Sequence, residues 1–177
     1  MGISVCSSTA TTVVLTVRAI TIISGGYDSG KTTRMINVFN NLKMGEADGF
    51  ACVKVINAES QKFKYRLRRL TTGQEYDFIV QKIDYQYDFD EYFEFERFIF
   101  STMTLRFAER VMEEAIRNPN IQSLFLDEIG VLELQGQGFS MILRKMLQCD
   151  KDLFLCINQK NVDEIQEKFK FSADYHI

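Results

Sequence analysis

Residues 18–32 read Arg-Ala-Ile-Thr-Ile-Ile-Ser-Gly-Gly-Tyr-Asp-Ser-Gly-Lys-Thr, and this stretch decides the fold. Residues 18–24 are mostly apolar and β-branched, and glycine ends the run after the length of one strand. From Thr32 to Leu42 apolar side chains recur at helical spacing, and the pattern stops near Gly45. The stretch therefore predicts a strand, a glycine-rich turn and a helix in direct succession.

The turn matches the pattern G-x-x-x-x-G-K-[ST] at every fixed position. Four residues between the two end glycines let successive backbone N–H groups point inward at phosphate oxygens. Gly25 and Gly30 suit unusual dihedral angles and a close phosphate approach that a Cβ would hinder. With glycine at about 7% of residues, a chance match in a chain of this length is on the order of one in a hundred. The motif predicts a phosphate-binding loop (Walker A) whose nucleotide contacts come from Gly25, Gly26, Tyr27, Asp28, Ser29, Gly30, Lys31, Thr32 and Thr33.

Three residues of this loop have particular expectations. The Lys31 ammonium should reach the β- and γ-phosphates of a nucleoside triphosphate, where the N-terminal end of the helix adds positive charge. The Thr32 hydroxyl should ligate magnesium (Mg2+). Asp28 departs from what an anion site needs, because an inward carboxylate would repel phosphate. We expect its side chain to face outward, toward a lysine or the solvent.

A second apolar segment, Ile121 to Leu126, predicts a strand that delivers Asp127 and Glu128 at its C-terminal end. In open α/β sheets the ligand lies beyond that edge. Asp127 is expected to hold the magnesium hydration shell, as the Walker-B acid does, and Glu128 to orient a water for attack on the γ-phosphate. Two acids after a strand also arise in solvated loops, and their pairing with the phosphate loop favours the functional interpretation.

Residues 127–134 read Asp-Glu-Ile-Gly-Val-Leu-Glu-Leu. This resembles the Asp-Glu-Ile-Gly-x-x-Glu-Leu signature of the small P-loop nucleoside-triphosphatases of the thermophile and cancer-related type. Asp48-Gly49-Phe50 resembles that family's Gly-Phe/Tyr element, and Lys64 to Glu75 resembles its sheet insertion. This chain departs from the family pattern at two places. The family's basic stretch is present here only as Lys54, and the family's glycine-rich turn is replaced by Asn57-Ala58-Glu59.

The resemblance implies a P-loop fold with an extra strand between the phosphate lysine and the Walker-B strand. It also implies slow, Mg-dependent hydrolysis of ATP, GTP and other nucleoside triphosphates. The roles that it carries over fall on Gly25, Gly30, Lys31, Thr32, Asp127 and Glu128, with Gly130 and Glu133 as supporting residues.

The rest of the chain predicts an α/β domain: a mostly parallel sheet flanked by helices, with extra antiparallel strands or a hairpin inserted before the Walker-B strand. The inserted segments are 65–70, 76–83 and 85–100. Residues 18–177 are expected to form one domain, and residues 1–17 an extension or an added edge strand. A helix capped by Ser101 is followed by Pro119, and Leu153 to Ile157 is a third buried strand. A last helix carries Asn161 and Glu164 in capping-box positions, and His176 is expected to be frayed.

Composition excludes several classes of protein. The chain has 177 residues, 46% of them hydrophobic, and a formal net charge of −3, which argues against non-specific nucleic-acid binding. Its four cysteines form no C-x-x-C pair and it has one histidine, so a structural zinc site is not expected. We find no signal peptide and no apolar stretch of membrane-spanning length. A cytoplasmic protein is the expectation.

Some alternatives stay open at this stage. Glu133 either holds the Walker-B loop in place or is an exposed acid. Aromatic residues between 85 and 100 either stack a base or pack the added strands. Arginine residues could stabilise γ-phosphate charge or form surface ion pairs; the candidates are Arg66, Arg68, Arg69, Arg97, Arg106 and Arg144. A nucleoside-triphosphatase is the first functional hypothesis, followed by a small-molecule or nucleoside kinase and by a nucleotide-sensing protein with slow hydrolysis.

Overall fold

The computed structural model describes residues 18–86 and 88–177. Residues 1–17, predicted to be an extension, lie outside the described residues, as does Tyr87 of the aromatic segment. Short 3-10 helices span Lys82–Asp84 and Gln159–Asn161. The strands and α-helices are, in chain order, β1 Ile20–Gly25, α1 Lys31–Asn40, β2 Ala47–Ile56, β3 Phe63–Arg69, β4 Glu75–Gln81, β5 Tyr92–Phe95, β6 Phe98–Ser101, α2 Thr102–Arg117, β7 Ser123–Ile129, α3 Val131–Leu134, α4 Ser140–Met146, β8 Asp152–Asn158, α5 Val162–Phe169 and β9 Tyr175–His176.

All nine of these strands join one sheet in the order β5-β6-β4-β3-β2-β7-β8-β1-β9. Strands β2, β7, β8, β1 and β9 pair in parallel. Strands β3, β4, β6 and β5 extend the sheet by antiparallel pairing. The predicted α/β sheet with inserted antiparallel strands is confirmed, although the sheet is an even mixture rather than mostly parallel. In space, β8 separates the strand before the phosphate loop from the strand that carries Asp127.

Helices cover both faces of the parallel part, which explains why its strands are apolar on both sides. Alternate side chains of β1 enter different cores. Ile23 packs with Met35 of α1 on one face. Ile22 packs on the other face in the larger core, to which α2, α4 and α5 contribute Met112, Leu143 and Ile165. The loops lie at the C-terminal edge of the parallel strands.

The aromatic residues of the inserted strands pack onto the sheet. Phe93 of β5 stacks on Phe100 of β6 with ring centroids 5.1 Å apart. Phe100 in turn meets Phe78 of β4 edge-on at 5.8 Å. Tyr85 packs against the small core that contains Phe89. For these residues, sheet packing is the interpretation that the structure supports.

The segment Asp48-Gly49-Phe50 brings β2 unusually close to β7. Gly49 lies opposite Phe125 with φ at 154°, and a Cβ at Gly49 would fall 2.1 Å from the Phe125 carbonyl oxygen. The buried Asp48 carboxylate accepts hydrogen bonds from Arg69 (2.6 Å) and Thr71 (3.0 Å). This contact fixes the position of β2 beside the strand that carries the acidic pair.

Two predictions near the C-terminus are wrong. Asn161 and Glu164 form no capping box, because the Asn161 backbone is already helical and its side chain makes no capping hydrogen bond. His176 is not frayed: it lies in β9, which pairs with β1. The Ile177 amide donates to the Ile22 carbonyl and its own carbonyl accepts from Ser24, both at 3.0 Å. The chain end thereby satisfies backbone groups that β1 would otherwise expose at the sheet edge.

Candidate active site

The predicted phosphate loop connects β1 to α1 at the C-terminal edge of the parallel strands. Residues 27–33 line a cavity of about 450 Å³. Gly30, immediately before α1, has φ at 81°, a conformation that glycine adopts without strain. The Lys31 ammonium donates to the Gly26 carbonyl at 2.7 Å. The loop therefore places a helix N-terminus and an ammonium group at one cavity, as an anion site requires.

The two remaining glycines of the predicted contact set do not border the cavity. Gly25 has a packing role, since a Cβ there would lie 2.3 Å from the Ser29 hydroxyl oxygen. Gly26 contributes its carbonyl to Lys31. Asp28 borders the cavity, but its side chain is 72% exposed and forms an ion pair at 3.4 Å with Lys54, which also borders the cavity. The expected contacts of Asp28 with a lysine and with solvent are observed, although the residue still borders the cavity.

Asp127 connects the loop to β7. Its Oδ2 accepts the Thr32 hydroxyl at 2.8 Å and the Cys52 amide at 3.0 Å, and its Oδ1 accepts the Glu128 amide at 2.9 Å. Burial raises the pKa of Asp127, whereas these hydrogen bonds oppose the increase. The carboxylate does not itself border the cavity and reaches it through Thr32. This position suits the second coordination sphere of a cation.

Glu128 faces the cavity because β7 is irregular where the acids lie. Register with β8 shifts between Leu126 and Ile129, and Glu128 has φ at 60°, which is uncommon for a residue with a side chain. The two acids thus lie within β7 rather than after it. Surrounding protein reduces the solvation of Glu128 and, together with the charge of Asp127, raises the pKa of Glu128 to about 7. A carboxylate with this pKa can accept a proton near neutral pH.

Glu133 holds the segment after β7 in place, which settles the alternative of an exposed acid. It is 1% exposed and accepts the Gly130 amide at 2.8 Å and the Phe139 amide at 2.9 Å. Gly130 approaches Asn161 closely, since a Cβ at Gly130 would lie 3.3 Å from Asn161 Nδ2. Burial raises the pKa of Glu133 to about 7. Both supporting residues therefore shape the loop beyond Glu128.

We expect Glu133→Gln to lower the free energy of unfolding by about 1–3 kcal/mol, because its amide group would oppose one of the two backbone N–H donors. The raised pKa gives this loss a pH dependence. Between about pH 4.5 and 7 the folded protein keeps a proton on Glu133 that the unfolded chain has released, so this group's contribution to stability falls as pH rises. Urea unfolding at pH 5 and pH 8 measures both effects.

The exposed Glu167 provides a matched control for that measurement. Glu167→Gln should leave the unfolding midpoint nearly unchanged at both pH values. The stability difference between native protein and Glu133→Gln should be larger at pH 5 than at pH 8. A difference that stays constant or grows with pH would contradict the assignment of a raised pKa to Glu133.

Asn158 is a cavity residue that the sequence did not single out. It ends β8 opposite Gly25 and borders the cavity. Its Oδ1 accepts the Lys160 amide at 3.1 Å, so its amide group can donate elsewhere. A polar residue at the end of a buried strand was the available signal, as it was for Asp127. This signal can be interpreted only when β8 is known to lie beside the phosphate loop. The order of the elements along the sequence does not reveal that position.

A second cavity of about 220 Å³ adjoins the first on the side of Glu128. Its walls include the apolar side chains of Ile79, Phe98 and Leu132. The two cavities share Tyr27, Cys52, Tyr65, Glu128 and Asn158. Glu128 therefore borders both the cavity of the phosphate loop and a smaller, more apolar cavity.

The arginine candidates all have protein contacts. Four of them form ion pairs and two lie over aromatic rings. Ion pairs hold Arg66, Arg68, Arg69 and Arg106. Arg97 lies over Phe98 and Arg144 over Phe169. Only Arg68 of these six borders the first cavity.

The oxygen donors at this site fit magnesium. Mg2+ prefers oxygen ligands and commonly combines one or two protein groups with substrate phosphates and water. The Thr32 hydroxyl and the Asp127 carboxylate are such donors, 2.8 Å apart. Within residues 18–86 and 88–177 no cluster of three or more histidine, cysteine or acidic residues could hold a metal by itself.

A glycine-rich loop between a strand and a helix, facing an acidic pair on another strand of the same sheet, defines the class of P-loop nucleotide-binding proteins. A family model described as NTPase matches residues 20–177, and the chain belongs to this NTPase family.

Two solved structures share the fold. A human cancer-related nucleoside triphosphatase has 19% identity and a TM-score of 0.61, with 90% of this chain and 86% of that chain covered. THEP1 from the hyperthermophile Aquifex aeolicus has 19% identity and a TM-score of 0.65, with 89% and 88% covered. No curated protein matches the sequence significantly. No helix in the described part of the chain has the length and apolar character to cross a membrane.

Proposed function

We propose that this protein is a magnesium-dependent nucleoside-triphosphatase that hydrolyses the γ-phosphate of ATP, GTP and similar nucleotides. The observation that carries the proposal is the 2.8 Å hydrogen bond between Thr32 and Asp127, which joins the phosphate loop to the strand that presents Glu128. Family membership and the names of the two structural neighbours support the same class of activity.

Each proposed role follows from the position of its residue. Lys31 and the loop amides would hold the phosphates, while Thr32 and, through it, Asp127 would hold magnesium. The cation supplies neutralisation of phosphate charge. Glu128 would accept a proton from the water that attacks the γ-phosphorus. The bond between the γ-phosphorus and its bridging oxygen then breaks, which yields the diphosphate and inorganic phosphate.

Phosphate release from ATP and from GTP is the direct test of this proposal. We expect turnover of both nucleotides with magnesium, loss of turnover with excess EDTA, and recovery when magnesium is restored. The dependence arises because Thr32 and Asp127 cannot neutralise phosphate charge without a cation. Equal phosphate release in EDTA would contradict the proposed metal role.

The second cavity favours one alternative, phosphoryl transfer to an acceptor hydroxyl. Its apolar walls offer space for a second small molecule beside Glu128, which hydrolysis does not need. In that case the protein would bind ATP but release no phosphate until an acceptor is added. A nucleotide-sensing protein would instead bind nucleotide and change its affinity for a partner with little turnover.

The cysteines in the described residues, Cys52, Cys149 and Cys156, are free thiols, which supports a reducing compartment such as the cytoplasm.

A further inference from the structure

Arg68 differs from Lys64 and Arg66, the neighbouring cationic residues of β3, in the cavity that it borders. Lys64, Arg66 and Arg68 all form ion pairs with acids of β4. Lys64 and Arg66 hold Asp77 at 2.7 and 2.9 Å, and Arg68 holds Glu75. Of these three cations, Arg68 alone also lines the cavity of the phosphate loop.

The ion pair of Arg68 can open without leaving an acid unpartnered. Glu75 Oε1 accepts Arg68 Nε at 2.8 Å and a terminal nitrogen of Arg68 at 2.5 Å. A terminal nitrogen of Arg66 lies 3.5 Å from the other oxygen of Glu75. If Arg68 moved away, Glu75 would keep Arg66 as its counter-ion. The Arg68 side chain is 36% exposed, so solvent screens its attraction to Glu75 and the ion pair is weak.

Two other cationic residues border the cavity, and both contact protein groups in this structure. Lys31 donates to the Gly26 carbonyl, and Lys54 pairs with Asp28. Both are point charges, whereas a planar guanidinium can bind two phosphate oxygens at once. Among the described residues that border the cavity, Arg68 supplies the guanidinium.

We infer that Arg68 exchanges Glu75 for the terminal phosphates of a bound nucleoside triphosphate and stabilises the negative charge that develops there during hydrolysis. The inference rests on the proposed function and adds a residue to it. Arg68 changes only hydrogen-bond partners, and the covalent step is still attack by water with the proton passing to Glu128. Arginines that contact the transferred phosphoryl group accelerate P-loop enzymes by about 10³–10⁵-fold.

The test compares Arg68→Ala with Lys64→Ala. Lys64 lies on the same strand, pairs with Asp77 rather than Glu75, and does not border the cavity. We expect Arg68→Ala to lower kcat at least tenfold, with ADP affinity within about twofold of native. Lys64→Ala should keep kcat within about twofold of native. Arg68→Lys should restore only part of the activity, because an ammonium retains the charge but loses the fork of donors.

A fourth variant separates catalysis from structural support. Glu75→Gln weakens the hold on Arg68, so it should keep or increase turnover, opposite to Arg68→Ala. If Arg68 only stabilised β4, both variants would lower turnover together with the unfolding midpoint. That result, or equal kcat values for Arg68→Ala and Lys64→Ala, would overturn the inference.

Equilibrium binding distinguishes failure of this inference from failure of the proposed function. The probes are ADP and a non-hydrolysable ATP analogue, both with magnesium. Arg68→Ala should weaken binding of the analogue by more than it weakens binding of ADP, whether or not the native protein releases phosphate. Equal effects on the two probes would overturn the role of Arg68, whereas absent turnover with the expected binding difference would overturn only hydrolysis.

Discussion

Glu128→Gln is expected to reduce phosphate release from ATP by about 100- to 10,000-fold, the range that a positioned general base contributes. Gln keeps the size and shape of the side chain but cannot accept the proton of the attacking water. Nucleotide affinity should stay the same or increase, because the substitution removes a negative charge beside the cavity. Steady-state phosphate release and equilibrium nucleotide binding measure the two quantities separately.

Glu94→Gln is the control for that substitution. Glu94 lies in β5 and pairs with Lys82 at the surface, so its loss should leave both phosphate release and nucleotide binding unchanged. The pH profile offers a second readout, since the pKa of Glu128 is raised to about 7. Native turnover should fall as pH decreases through this region, when Glu128 holds a proton. Turnover by Glu128→Gln within tenfold of native would rule out Glu128 as the base.

The sequence was sufficient for the phosphate loop because that loop is local. A consecutive run of residues forms the strand, turn and helix, and each fixed position has a backbone reason to be there. Asp28 shows that even an exception could be anticipated. An inward acid would repel a phosphate, and in the structure Asp28 is largely exposed and pairs with Lys54.

The acidic pair was predictable in position but not in geometry. Its place at the C-terminal edge follows from the apolar strand before it. The opposite roles of Asp127 and Glu128 depend on the irregular register of β7 and on the left-handed backbone at Glu128. Neither feature has a sequence signal, since a strand of regular geometry would have the same composition. Tertiary pairing with β8 determines which acid is buried and which faces the cavity.

The sequence could not show which residues of distant strands come together at the site. Asn158 and Arg68 border the same cavity although they lie on β8 and β3. Their proximity depends on strand order, and strand order depends on contacts such as the close approach of Gly49 to Phe125. The same limit explains the error at His176, because an edge left open by β1 is visible only in the folded sheet.

Lys31→Ala should weaken nucleotide binding by about 10- to 100-fold, the effect of losing a hydrogen bond between charged groups. Lys31 is the first residue of α1 and its ammonium lies at the Gly26 carbonyl, within the loop that lines the cavity. Alanine preserves the helix but removes the positive charge that is expected to contact the phosphates. Titration of a fluorescent ATP analogue with magnesium measures the change in affinity.

Lys43→Ala is the matched control, because Lys43 is an exposed lysine whose ion pair is with Glu46, outside the cavity. Its affinity for nucleotide should equal that of the native protein. Lys31→Ala should also lose more affinity for ATP than for AMP, since the missing ammonium is expected to contact the β- and γ-phosphates. Equal losses for ATP and AMP would place the contact of Lys31 elsewhere on the nucleotide. The comparison therefore tests the orientation of the nucleotide in the loop as well as the presence of a phosphate site, and orientation determines whether Glu128 can reach the γ-phosphate.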